Sequence, residues 1–320
     1  MKIFKSKNAF AWRRLYSNLL LLAVLTGVTA YVLHTFNEMS TFHYQLKISS
    51  LLLSFFFLAL TYPMSILIWM LIAKGFGLKS SFFSAARIWS LSQLGKYLPG
   101  KAGLILIRLD AYPPDTKKSV LMATGVETIA ALSSALLWVL IAMAFLPALI
   151  PEYVRYAAVA GIILFFLILY PPVLKKSANW LLKQLKRAPL ELLPSYKLML
   201  SMIGVNMLIG LPYGLGLFFA FQALHEISWT YFLTIVGAFY VADVVSIAAF
   251  FAPAGIGVRE GMIFLILPTF ISKEIVILAA LLVRLMSVII EISLAAIIVL
   301  LDRYFPFKTK ENENLRRYYP

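Results

Sequence analysis

Apolar runs long enough to cross a bilayer, separated by short polar or basic stretches, fill most of this chain. About 20 consecutive apolar residues let a helix span the roughly 30 Å hydrocarbon core. On that criterion the pattern predicts spans at about 15–33, 49–73, 120–146, 154–170, 198–224, 229–250 and 275–301. Small residues recur in the fifth of these, at Gly204, Gly210, Gly214 and Gly216, which predicts close helix packing, and Pro212 predicts a break in it. Residues 82–97 carry apolar positions at helical spacing, with Arg87, Ser90, Gln93 and Lys96 on another side. That stretch reads as an amphipathic helix lying at, or dipping into, the interface.

Two places interrupt the apolar pattern. Residues 250–260 read Phe-Phe-Ala-Pro-Ala-Gly-Ile-Gly-Val-Arg-Glu. Pro253 removes a backbone donor and disfavours helix at Ala252, while Gly255 and Gly257 permit a turn that other residues would resist. A broken helix inside a bilayer is tolerated where its freed backbone groups are buried in protein or line a cavity, so the break points to a site. Arg259 and Glu260 strengthen that reading, because an ionised group at membrane depth costs about 2.5 to 3.5 kcal/mol on insertion scales. Residues 94–108 repeat the theme, with Pro99, Gly103 and Arg108 loosely matching Pro253, Gly257 and Arg259. The arginine offset differs between the two copies. Paired Gly/Pro interruptions in the two halves of a membrane protein mark a transporter-like binding site.

Charge supplies the orientation. The formal net charge is +15, and of the 29 Lys and Arg residues all but Lys47, Arg155, Arg259, Lys273 and Arg284 lie in residues 1–14, 74–118, 171–197 and 302–320. The positive-inside rule makes those segments cytoplasmic, including both termini, and accounts for the basic balance without a nucleic-acid partner. Parity then requires the chain to return outward between 255 and 272, which predicts eight crossings with a short, broken seventh. Residues 101–108 are too few to cross between cytoplasmic flanks, so a re-entrant turn is expected there. Val28-Thr29-Ala30 mimics a signal-peptidase site, but the long apolar sequence beyond it favours an uncleaved anchor.

The expected fold is an all-α polytopic bundle in a cell membrane, with two broken or re-entrant segments in pseudo-repeated halves. It forms one integral membrane domain: a first half at about 1–171, a basic connector at 172–197, a second half at 198–301 and a tail at 302–320. Hydrophobic residues make up 62% of the chain and charged residues 13%, which excludes a soluble globular class. Cysteine is absent and the three histidines are scattered, so neither a metal site nor a cofactor is expected. The aromatic residues read as interfacial anchors and lipid-facing bulk, with Trp89, Trp180 and Trp229 near the interfaces.

The intramembrane charges admit two readings. Glu127, Asp243, Arg259, Glu260, Arg284 and Glu291 could pair between helices, and Arg284 and Glu291, two turns apart on one face, could equally line a common cavity. In the functional reading Arg259, Arg108 and Lys101 face an anionic headgroup, assisted by backbone N–H groups at half-helix starts. The candidate headgroup site is thus Arg259, Glu260, Gly255, Gly257, Arg108, Lys101, Gly103 and Arg284, supported by Glu127, Asp243 and Glu291. A membrane-embedded lipid transferase with Glu127, Asp243 or Glu260 as base or metal ligand is a competing class. So is a non-catalytic partner of a membrane enzyme.

These residues resemble the flippase-like integral membrane family named for the transmembrane region of lysylphosphatidylglycerol synthase. The resemblance is carried by Gly95-Lys-Tyr-Leu-Pro-Gly-Lys-Ala-Gly103 with Arg108, by Glu127, by Pro253-Ala-Gly-Ile-Gly-Val-Arg-Glu-Gly261 and by Arg284. Thr128 departs from it, standing where such proteins often carry arginine. The resemblance implies translocation or handling of a lipid with a polar headgroup: a phospholipid, an aminoacyl-phospholipid or a polyprenyl-phosphate-linked sugar. It implies no enzyme activity in this chain, because the synthase reaction belongs to a separate soluble domain. A membrane enzyme partner or a homo-oligomer is compatible with it.

Overall fold

In hydrocarbon every unpaired backbone group costs several kcal/mol, so the apolar runs fold as helices, which pair those groups within one segment. The computed structural model describes residues 46–97, 102–145, 151–184, 196–249, 255 and 257–304. The expected first span, Pro99, Lys101, Pro253 and the basic tail beyond Tyr304 lie outside the described residues.

Ten α-helices and no strands occur among the described residues. They are α1 (Ile48–Gly75), α2 (Phe82–Leu94), α3 (Ala102–Ala111), α4 (Lys117–Ala144) and α5 (Glu152–Leu169), followed by α6 (Pro171–Gln184), α7 (Tyr196–Leu224), α8 (Phe232–Ala248), α9 (Val258–Ile266) and α10 (Lys273–Tyr304). Six of them, α1, α4, α5, α7, α8 and α10, are long and apolar enough to cross a membrane, α4 and α8 together with the short 3-10 turns that precede them. This is the pattern of a multi-pass membrane protein.

Burial ranks these helices. The most apolar stretch of α10 is 67% buried within the protein, against 11% for α5, so α10 is the central helix and α5 a peripheral one. Along α1 and α7, the most extensive helix pairing, the Ser54 hydroxyl donates to the Gly216 carbonyl at 2.7 Å. A Cβ on Gly216 would stand 2.7 Å from Leu58 Cγ. Gly210 and Gly214 likewise make room for Trp138 and Val236, so three of the four glycines expected to pack closely do so. Pro212 lies inside an unbroken α7, contrary to the expected break. Membrane helices tolerate such a proline because neighbouring groups take up the freed carbonyl. At one end of this pair, Lys47 donates to Glu226 and holds that carboxyl below its ordinary value. Both side chains are exposed, so the contact contributes little to stability.

Two departures concern the short helices. Ser84 to Ser90 and Ser92 are buried, so α2 is not a surface helix. It packs among α1, α3 and α10. The basic connector begins as helix α6 rather than as a loop.

Two of the short helices fold back on the helix that precedes them. At about 1.5 Å per residue, α3 and α9 are roughly 15 Å long, half of what a bilayer requires. Helix α3 packs back against α2, and α9 against α8. At the first bend a Cβ on Gly95 would meet the backbone of Gly103 at 2.5 Å, so only glycine permits this approach. At the second, Gly255 and Gly257 have φ of 71° and 82°, the left-handed region that favours glycine. A Cβ on Gly255 would also lie 2.7 Å from Ser246 Cβ on α8.

Replacing Gly95 by alanine is expected to force the α2–α3 pair apart and lower stability by about 1–3 kcal/mol. Gly204, where an added Cβ would meet open space, is the control. Its alanine variant should be neutral or gain up to about 1 kcal/mol. Thermal unfolding of the purified variants in detergent checks the contrast, and equal melting of the two would contradict the packing described.

Candidate functional site

The two bends converge on one polar cavity of about 370 Å³. Helix α1 contributes Thr61, Tyr62 and Ser65; α2 and the turn after it contribute Trp89, Gln93, Lys96 and Tyr97. The far side is built by Tyr213 on α7, Asp243 on α8, Arg259 in the first turn of α9, and Arg284, Ser287 and Glu291 on α10. Burial of so many polar side chains inside an apolar bundle requires partners, and the cavity supplies them in two clusters.

Glu291 anchors the first. Lys96 pairs with its Oε1, Tyr62 donates to the same oxygen at 3.0 Å, and Tyr97 donates to Oε2 at 3.0 Å. The Tyr62 hydroxyl also lies 3.3 Å from the Ser287 carbonyl. One carboxylate thereby joins α1, the first bend and α10. Asp243 anchors the second. Arg259 Nε approaches its Oδ1 at 3.1 Å, Tyr213 donates to Oδ2 at 3.1 Å, and Arg259 Nη2 donates to the Tyr213 hydroxyl. This cluster joins the second bend to α7 and α8. The Arg284 guanidinium lies 5.9 Å from the centre of the Tyr97 ring, on the same cavity wall as Glu291.

Arg108 and Glu127 occupy a different place. Arg108 is fully buried, stacks on Trp69 at 3.8 Å from the ring centre, and pairs with Glu127 through both terminal nitrogens. Its Nε donates to the Ser92 hydroxyl at 3.1 Å, and Nη1 lies 3.4 Å from Thr124 Oγ1. Trp89 donates to Glu127 Oε1 at 3.1 Å, closing the carboxylate from the other side. This pair locks α2, α3 and α4 together and does not line the cavity, in contrast to the headgroup role expected for Arg108.

The remaining expected residues divide similarly. Glu260 turns its carboxylate to the Gly257 N–H at 2.9 Å, capping its own helix, where a negative charge also complements the N-terminal dipole. Gly103, Gly255 and Gly257 shape the bends rather than face the cavity. Lys101 lies outside the described residues. Arg259, Arg284, Asp243 and Glu291 are brought together at the cavity.

Several cavity residues carry no distinctive signal in the sequence. By position alone Lys96 reads as a membrane-edge residue, and Tyr62, Tyr97 and Tyr213 as interfacial or lipid-facing bulk. Trp89 is buried and hydrogen-bonded rather than interfacial, whereas Trp180 and Trp229 are exposed. A tyrosine beside a proline deep in an apolar run, as in Tyr62-Pro63 and Pro212-Tyr213, is the available hint. Among the described residues no group of three His, Cys, Asp or Glu side chains could hold a metal ion.

The sealed pair should behave as a structural unit. Arg108→Met leaves Glu127 without its cation and should cost about 3–5 kcal/mol, whereas combining it with Glu127→Leu should recover part of that loss. Chemical or thermal unfolding of both variants reads the difference; a double variant no more stable than Arg108→Met would contradict the pairing. Compared with known proteins, the chain matches no family model and no curated protein.

Proposed function

We propose that this protein is a flippase-like translocator that binds an anionic lipid headgroup in the cavity between its two bends. The observation carrying this reading is that both interrupted segments, far apart in sequence, contribute cations to one polar cavity inside an apolar bundle, Lys96 from the first and Arg259 from the second. At about 370 Å³ the cavity falls within the roughly 300–1,000 Å³ range of small-molecule sites.

The topology that fits this role has eight crossings. The α2–α3 pair serves as the re-entrant element of the first half, and α9, following the glycine bend after α8, as the short, broken seventh crossing of the second. Half-length helices paired with their predecessors support that arrangement. The resemblance to the flippase-like family points the same way. Against a transferase, Glu127 and Glu260 have structural partners, and Asp243 and Glu291 each accept two or more hydrogen bonds or ion pairs, which is poor preparation for a general base.

Arg259→Ala should slow flipping of labelled anionic phospholipid in reconstituted liposomes by roughly tenfold or more, the equivalent of about 1.4 kcal/mol. An unchanged rate in folded protein would overturn the headgroup role of Arg259.

A further inference from the structure

Among the described residues, those lining the cavity include none from α6, and the sequence of that helix suits it to a different partner. It follows the peripheral span α5, whose exposed apolar side chains continue through Leu167 and Ile168 to Tyr170 at its end. A span that faces lipid to its last turn delivers the next residues to the bilayer boundary. Those residues are Pro171 and Pro172. The position before a proline is pushed out of the helical region, and Tyr170 is extended at φ −58° and ψ 125°, so α6 leaves the axis of α5. Proline is tolerated in the first turn of the new helix, which starts where the Leu174 N–H donates to the Tyr170 carbonyl at 2.9 Å.

The side chains of α6 then form a mixed stripe. Val173, Lys176, Trp180 and Lys183 stand at i, i+3, i+7 and i+10, which places them on one face of the helix, and all four are exposed. Lys175 is exposed beside them, and the helix carries no acidic residue. Trp180 is 63% exposed, with Lys176 one turn before it and Lys183 one turn after. A water-facing surface accounts for the lysines but not for a large ring left bare between them. At the headgroup level of a bilayer both belong: indole has an apolar body and one N–H to satisfy, and lysine lays its stem along apolar surface while its ammonium reaches phosphate.

We propose that α6 is a docking surface for anionic phospholipids. Trp180 and Val173 enter the interfacial region beside the end of α5, and Lys175, Lys176 and Lys183 gather negatively charged headgroups around them. Basic residues close to a membrane surface attract anionic lipid in this way, and the attraction fades beyond a Debye length. The surface is separate from the cavity and does not depend on how the cavity is used.

The test places the full chain in phosphatidylcholine nanodiscs in which a minor fraction of the lipid is brominated near the glycerol end of its acyl chains. In one set the brominated lipid is phosphatidylglycerol, and in the other it is phosphatidylcholine at the same fraction. Subtracting the emission of Trp180→Phe from that of the unaltered chain isolates the Trp180 signal. At about 0.01 M salt the brominated anionic lipid should quench that signal roughly threefold more than the brominated zwitterionic lipid. At about 1 M salt, where the Debye length falls to about 3 Å, the two should quench alike. The triple variant Lys175→Gln, Lys176→Gln, Lys183→Gln should lose the preference at low salt as well. Should that variant not fold, the salt comparison on the unaltered chain decides alone. Equal quenching by the two lipids at low salt would overturn the proposal, leaving α6 merely lipid-facing. Quenching by neither would also overturn it, since something other than lipid then covers Trp180.

Discussion

The constraint on which this structure depends is that ionised side chains inside an apolar bundle must find partners, and the partners available lie on different helices. Lys96 follows a helix that ends short, and the carboxylate that meets it sits on the central α10. Arg259 opens another short helix and meets Asp243 on α8 and Tyr213 on α7. Each interrupted segment is thus held by charge to a long one. Buried ion pairs of this kind contribute little net stability, because desolvation offsets attraction, but breaking one is strongly unfavourable. They specify where the bends sit.

Two arginine–carboxylate pairs in this protein illustrate how surroundings divide structure from binding. The Arg108 side chain is wholly buried, with Trp69 against one face and Ser92, Thr124 and Glu127 taking its donors. Arg259 and Asp243 are 16% and 27% exposed and border the cavity, so the same chemistry there can exchange one anionic partner for another. The Arg108–Glu127 network reaches the cavity through Trp89, which donates to Glu127, stacks edge-on with Tyr62 and also lines the cavity. The sealed pair is thereby joined, through Trp89 and Tyr62, to the Glu291 cluster of the cavity.

The long spans are legible from the sequence because a single property, apolar length, decides them; the described helices long enough to cross a membrane begin and end within a few residues of the expected runs. The second bend is legible too, since Gly255 and Gly257 adopt the backbone angles that only glycine takes readily. The seven-residue spacing of Arg284 and Glu291 places both on one face, and both line the cavity. Arg108 resembles Arg259 in following a glycine, but it lies five residues beyond Gly103 whereas Arg259 lies two beyond Gly257. That difference moves it about one helical turn away from its bend and into the sealed pair. The tyrosines are illegible for another reason: a phenol within an apolar run has the same sequence signature whether it meets lipid headgroups or a buried carboxylate, and only the packing of α1, α7 and α10 separates the two.

The central claim, a polar cavity open to aqueous solutes in the heart of the bundle, is tested most directly by thiol accessibility, for which the cysteine-free chain is already suited. Single cysteines at Ser65 and Ser287, which line the cavity, are compared with cysteines at the buried Ala220 and at the exposed apolar Ile163. The account predicts that a charged, membrane-impermeant thiol reagent modifies the two cavity positions in folded protein and leaves Ala220 and Ile163 unmodified. Cavity positions no more reactive than Ala220 would contradict it.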